Sequence, residues 1–187
     1  MVKKKTCIFI SGKGSNLKNL ISHSRDNNFP IKINLVICNN VNAFGINYAK
    51  KNKIPYIFID TKKKNYENKI LLNLKKYNIS FICLAGYMKI ISKKLIKKYK
   101  NKIINIHPSL LPKFKGLNTF SRILKSKEVK TGCTVHYVDK KLDNGNTITQ
   151  KFFYIKSGYN EQNLKENTQK LERRAFPEAI IKIFRYN

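Results

Sequence analysis

Thr6-Cys7-Ile8-Phe9-Ile10-Ser11-Gly12-Lys13-Gly14-Ser15-Asn16-Leu17 passes from an unbroken apolar run into a glycine-rich turn and then into a helical pattern. A continuous apolar run bounded by turn residues reads as a strand buried on both faces, and such strands belong to parallel sheets covered by helices. Gly12 and Gly14 permit a tight turn, while Ser15 and Asn16 suit the start of a helix that begins near Leu17. The unit then repeats. Strand-like runs recur at 33–38, 56–59, 79–84 and 102–106, with helical patterns between them near 43–52, 64–77 and 92–99. In the second of these helices Tyr66, Ile70, Leu74 and Tyr77 share one face. The alternation predicts an α/β fold with a doubly wound, mostly parallel, Rossmann-like sheet, whose ligands sit at the carboxyl ends of the strands.

After Pro112 the pattern changes. A short helix is expected near 119–126, then two strand runs, 131–139 and 146–155, separated by a turn that carries Asp143 and Gly145. These runs read as an antiparallel C-terminal addition to the sheet. A long C-terminal helix is expected over 161–184, with Leu164, Thr168, Leu171, Ala175, Ala179 and Ile183 on one stripe. Pro177 is expected to kink or restart it.

The chain has 187 residues, of which 42% are hydrophobic, enough to bury one core, and residues 1–187 read as a single domain with halves at 1–100 and 101–187. The apolar run after Lys3-Lys4-Lys5 is too short for a signal peptide, and no run approaches a membrane span, so a cytoplasmic protein is expected. Cys7, Cys38, Cys83 and Cys133 stand far apart in apolar runs, which predicts buried free thiols and no metal site.

The net charge of +29 first suggests a polyanion partner. Against a specific nucleic-acid partner, only five of the 39 basic residues are Arg, and the Lys are spread over almost every segment. Lys, Asn and Ile all have A/T-rich codons, so mutational bias laid over a neutral scaffold is the expected origin of the composition, an expectation that leaves a functional charge open. The field can still steer an anionic substrate.

The chemistry-bearing stretch is Asn105-Ile106-His107-Pro108-Ser109-Leu110-Leu111-Pro112. Side chains alternate along a strand, so Asn105 and His107 point the same way at a strand's carboxyl end. An amide and an imidazole there can supply an oxyanion donor and a general acid or base, with Asp143 orienting the ring or raising its pKa. A structural histidine beside a turn asparagine is the plainer alternative. The turn at Gly14, Ser15 and Asn16 offers N–H groups for a phosphate, or simply caps its helix. The segment Cys83–Ile91 could line a slot for a flat heterocycle or pack as core. Gln169 and Glu172 share a helix face, which reads equally as exposed polarity.

Four segments together resemble the folate-dependent phosphoribosylglycinamide formyltransferases over essentially the whole chain: Ser11–Leu17, Leu84–Ser92, Asn105–Gly116 and Gly132–Gly145. The resemblance implies formyl transfer from 10-formyltetrahydrofolate to the amine of 5-phosphoribosylglycinamide in purine biosynthesis, by direct attack without a covalent enzyme intermediate. It implies that Gly14, Ser15 and Asn16 hold the substrate phosphate, and that Gln169 and Glu172 contact its ribose and glycinamide end. Lys63, Met88, Lys89, Ile90, Ile91 and Asn105 would bind the folate, and Asn105, His107 and Asp143 would be catalytic, with a protonated His107 facing the oxyanion. Residues 1–100 would then be the phosphate-binding half and 101–187 the catalytic and folate-binding half. The implied partners are small molecules, with no specific nucleic acid, no membrane and no metal, in a monomer or homodimer. Lys63 and Lys89 stand where the family usually has Arg, Asn118 where a histidine is common, and Asn144-Gly145-Asn146 where a Gly-Gly-Pro turn is usual. The chain also stops soon after the last helix, without a tail that many relatives carry. The rival within the class is a methionyl-tRNA formyltransferase-like activity, and from another class a basic nucleic-acid-binding module.

Overall fold

The computed structural model describes residues 2–185. Its elements follow the expected alternation: β1 (Lys4–Ile10), α1 (Ser15–Ser24), β2 (Ile31–Cys38), α2 (Ile46–Lys51), β3 (Tyr56–Phe58), α3 (Tyr66–Lys76), β4 (Phe81–Leu84), α4 (Lys93–Lys98), β5 (Ile103–His107), α5 (Thr119–Leu124), β6 (Lys130–Tyr137), β7 (Thr147–Tyr154) and α6 (Glu161–Arg185). The seven strands lie in the order β3-β2-β1-β4-β5-β6-β7. β1 runs parallel to β2 and β4, β2 runs parallel to β3, and β6 pairs antiparallel with β7. This is the α/β sheet with an antiparallel C-terminal pair and a long last helix that the periodicity predicts. The chain divides into two compact units, Met1–Ile104 and Asn105–Asn187.

In the first unit the chain steps outward from β1 to β2 to β3 and then returns to β4 on the other side of β1. The reversal places a switch point between β1 and β4, the position at which sheets of this kind bind their ligands. Cys7, Ile8, Phe9 and Ile10 of β1 are fully buried, as are Leu35, Val36 and Ile37 of β2 and Ile82 and Cys83 of β4. That explains why these strands read as continuous apolar runs rather than alternating ones. Ile70 and Leu74 form the buried stripe of α3, as its periodicity predicts.

In the second unit α6 packs along β6 and β7. Gly132 is required where the strands meet, because a Cβ there would lie 1.9 Å from the Lys151 carbonyl oxygen. Of the two outcomes expected at Pro177, a kink or a restart, α6 does not show the restart. The helix runs through the proline, with Ala175, Phe176, Pro177, Ala179 and Ile180 all buried. Burying this stripe outweighs the hydrogen bond that proline cannot donate. All four cysteines are free and buried, as expected. Among the described residues no helix is long and apolar enough to cross a membrane.

Candidate active site

Asn105 and His107, two apart at the end of β5, converge on the carboxylate of Asp143 from the β6–β7 turn. His107 Nδ1 lies 3.3 Å from Asp143 Oδ2, and Asn105 Nδ2 donates to Asp143 Oδ1 at 3.4 Å. Strand alternation thus delivers both side chains to one place. His107 and Asp143 are buried and Asn105 is half-buried. The Gly116 N–H donates to Asp143 Oδ2 at 2.9 Å. Asp143 itself sits at φ 46° and Phe114 at φ 58°, left-handed conformations that L side chains adopt only under constraint. Both are positions where the backbone serves the cluster, since the Phe114 carbonyl lies 2.9 Å from His107 Nε2.

A carbonyl can only accept, so His107 Nε2 carries a hydrogen, and Nδ1 faces a carboxylate oxygen. Only the protonated ring satisfies both neighbours. Burial nevertheless pushes the His107 pKa below the ordinary imidazole value; Asp143 and the Phe114 carbonyl pull it back up, while His136 and Arg122 push it further down. The net direction opposes the protonated ring expected from the resemblance. Asp143 raises the pKa as anticipated, but desolvation is the larger effect. For Asp143, burial acts to raise the carboxyl pKa, and the His136 ring, the Gly116 N–H and the His107 ring together bring it below the usual value. Burial thus favours a neutral ring beside an ionised carboxylate, while the two acceptors around the ring leave a place for one proton between Oδ2 and Nδ1.

His136 on β6 was not singled out by sequence. It is 2% exposed, its Nδ1 lies 2.8 Å from the Tyr137 carbonyl, and its Nε2 lies 3.2 Å from Asn105 Nδ2 and 3.6 Å from Asp143 Oδ1. Thr134, also on β6, fixes the loop after His107. It accepts from the Leu111 N–H and from Gln150 and donates to the Ser109 carbonyl. Alternation along residues 131–139 would have put Thr134 and His136 on one face, the same signal that pairs Asn105 with His107.

In the first unit the predicted phosphate turn lies at the β1–β4 switch point. Gly14 caps α1 at φ 72°, and a Cβ on it would stand 2.5 Å from Gly45 Cα. The turn is drawn against the start of α2, and the Gly45 N–H donates to the Gly12 carbonyl at 3.0 Å. Ser15 is half-buried and Asn16 buried. Ser11 ties this turn to the loop after β4: its Oγ accepts from the Met88 N–H at 2.7 Å, and its own N–H donates to the Gly86 carbonyl at 3.2 Å. Met88, Lys89 and Ile90 are exposed there and Ile91 is buried. Lys63 is an exposed cation in the loop before α3.

On α6 Gln169 is half-buried and Glu172 is only 8% exposed, which is not the solvated helix polarity that spacing alone allows. Burial pushes the Cys133 thiol up to about 12, and the nearby Glu172 carboxylate adds to the rise. Among the described residues no group of three or more His, Cys, Asp or Glu could hold a metal ion.

The family model described as formyl transferase matches residues 4–180. The trifunctional purine biosynthetic protein adenosine-3 of Drosophila pseudoobscura pseudoobscura is 40% identical over 184 residues, covering 95% of this chain and 14% of that protein. The human protein of the same name is 37% identical over 182 residues, covering 95% of this chain and 18% of its own length. The chain thus spans less than a fifth of these relatives. Among solved structures, the phosphoribosylglycinamide formyltransferase of Bacillus halodurans superposes with a TM-score of 0.92 at 33% identity, covering 96% of this chain and 95% of that one. That of Brucella melitensis gives 0.91 at 35% identity, covering 99% and 97%.

Proposed function

This chain belongs to the formyl transferase family, and from that premise we propose that it transfers the formyl group of 10-formyltetrahydrofolate to the amine of 5-phosphoribosylglycinamide, a step of purine biosynthesis. The observation that carries this reading is the meeting of Asn105, His107 and Asp143. The likeness to phosphoribosylglycinamide formyltransferases along nearly the whole chain supports the choice of acceptor.

The amine attacks the formyl carbon, and the carbonyl electrons move onto oxygen. Asn105 Nδ2 donates to that oxyanion, giving up its long 3.4 Å bond to Asp143. The attacking nitrogen, now positive, loses a proton to the Asp143–His107 pair, where the proton lodges between Oδ2 and Nδ1. As the carbon–nitrogen bond to the folate N10 breaks, the pair returns that proton to N10, and the products are tetrahydrofolate and the formylated amide. The proton passes through the carboxylate, because His107 Nε2 is engaged with the Phe114 carbonyl. A neutral ring before the reaction, as burial favours, suits a pair that must first accept.

Gly14, Ser15 and Asn16 bind the substrate phosphate in this reading, with N–H groups at the start of α1. Gln169 and the buried Glu172 bind its ribose and glycinamide end. Met88 and Ile90 offer apolar contacts to the pterin beside the buried Ile91, and the exposed Lys63 and Lys89 meet the carboxylates of the folate. Purified protein should release tetrahydrofolate only when 5-phosphoribosylglycinamide is supplied. Release that ignores this nucleotide, or that requires a charged tRNA instead, would overturn the assignment.

A further inference from the structure

We infer that His136 is a positioning residue for this reaction: it accepts a hydrogen bond from Asn105 and thereby turns the donor end of that amide, rather than its carbonyl, toward Asp143 and the reacting atoms. The inference rests on the formyl-transfer reading and names a residue that reading does not need.

The argument starts at the Tyr137 carbonyl. It lies 2.8 Å from His136 Nδ1 and can only accept, so Nδ1 bears the ring's hydrogen in the neutral state and Nε2 presents a lone pair. Asn105 Nδ2 stands 3.2 Å from that lone pair. Asp143 Oδ1 lies 3.6 Å from the same nitrogen, beyond hydrogen-bond reach, so Nε2 serves Asn105 and not the carboxylate. Turned over, Asn105 would point its oxygen at the His136 lone pair and at the Asp143 carboxylate together, an arrangement repulsive on both sides. The neighbours therefore assign the amide, with one hydrogen held by His136 and the other on the long bond to Asp143 that an oxyanion can displace.

The backbone around His136 is shaped to hold this geometry. The β6–β7 register shifts between Val135 and His136, where β7 passes over Ile148 and sets Thr147 opposite His136. Gly145 approaches the same Tyr137 carbonyl so closely that a Cβ on it would lie 1.8 Å from the oxygen. The Tyr137 N–H donates to the Asn146 carbonyl at 3.0 Å. The backbone of one residue, Tyr137, thus anchors both the His136 ring, through its carbonyl, and the turn that carries Asp143, through its N–H.

Two substitutions separate the ring's two ends. His136→Asn keeps a donor near the Nδ1 position and loses the acceptor, whereas His136→Gln reaches the Nε2 position with an acceptor oxygen. We expect His136→Asn to lower kcat by about 10–100-fold, the usual cost of losing an orienting partner, with KM for both substrates within about twofold. His136→Gln should recover most of that loss. In an Asn105→Ala background His136→Asn should cost nothing further, because it acts through Asn105. Full kcat in folded His136→Asn, or equal losses in the two variants, would overturn the inference. If neither variant folds, nitrogen NMR of the wild-type imidazoles at about pH 8 decides it: a protonated Nδ1 and bare Nε2 at His136 are expected, and a proton on Nε2 refutes it. A wild type without formyl transfer would sink the functional reading and leave the tautomer result standing.

Discussion

Asp143 concentrates more of the cluster than any other residue. Its backbone sits at φ 46°, its Oδ2 takes the Gly116 N–H and faces His107, and its Oδ1 takes the Asn105 amide. A carboxylate so placed fixes two other side chains, so deletions around it should be severe. Asn105→Ala and His107→Ala are each expected to lose on the order of 10²–10³ in kcat while keeping the wild-type circular dichroism spectrum; steady-state assays of the purified variants check this. Protonation supplies a second expectation. His107 has a folded pKa below its unfolded one, so the unfolded chain binds more protons and stability falls as pH drops below about 6.5. Asp143 has a lowered pKa, so its contribution is intact above about 3.9 and is lost as pH falls through the folded value. Denaturant titrations at successive pH values should show wild-type stability declining from neutrality toward pH 5, with a flatter decline in His107→Gln. Equal slopes would mean that burial of the ring has no such effect. Asn105, His107 and Asp143 were legible because strand alternation and a turn acid carry their own signal. His136 was not, since a histidine within a buried run looks like core until its partner strand is known.

The turn between β1 and α1 shows how an element's chemistry follows from its packing. Gly14 has both a left-handed backbone and Gly45 Cα directly where a side chain would be. Gly14→Ala must therefore shift either the turn or the start of α2, costing about 1–3 kcal/mol and moving the N–H groups that would hold a phosphate. The expected outcome is a lowered Tm together with a raised KM for 5-phosphoribosylglycinamide and an unchanged KM for the folate; an unaltered nucleotide KM would remove the turn from the binding site. Apolar runs located β1, β2 and β4 because parallel strands buried on both faces leave an unmistakable pattern. α6 was less transparent. The restart that Pro177 allows does not occur, and Glu172 takes a buried place that the apolar stripe assigned to Leu171. Local rules price each residue by itself, whereas the packing of α6 on β6 and β7 decides both cases.

The charge belongs to the whole chain and to no one site. With 39 basic side chains against ten acidic ones, most cations have no carboxylate to pair with, and the pairs that form, such as Lys113–Glu128 and Lys151–Glu178, lie toward the surface. Two consequences of a +29 field oppose each other. Mutual repulsion weakens the compact state, while the same field draws in anionic substrates. Salt screens both, with a Debye length of about 10 Å at 0.1 M. Raising sodium chloride from roughly 20 to 300 mM should therefore increase the Tm and at the same time decrease kcat/KM for the proposed phosphorylated acceptor, leaving kcat nearly constant because the cluster proposed to carry the chemistry is buried. Replacing several surface Lys remote from residues 63 and 89 by Gln should mimic the salt, with higher Tm and slower capture at low ionic strength. If kcat/KM is indifferent to salt while Tm rises, the lysines contribute only repulsion, and steering has no part in how this protein meets its substrates.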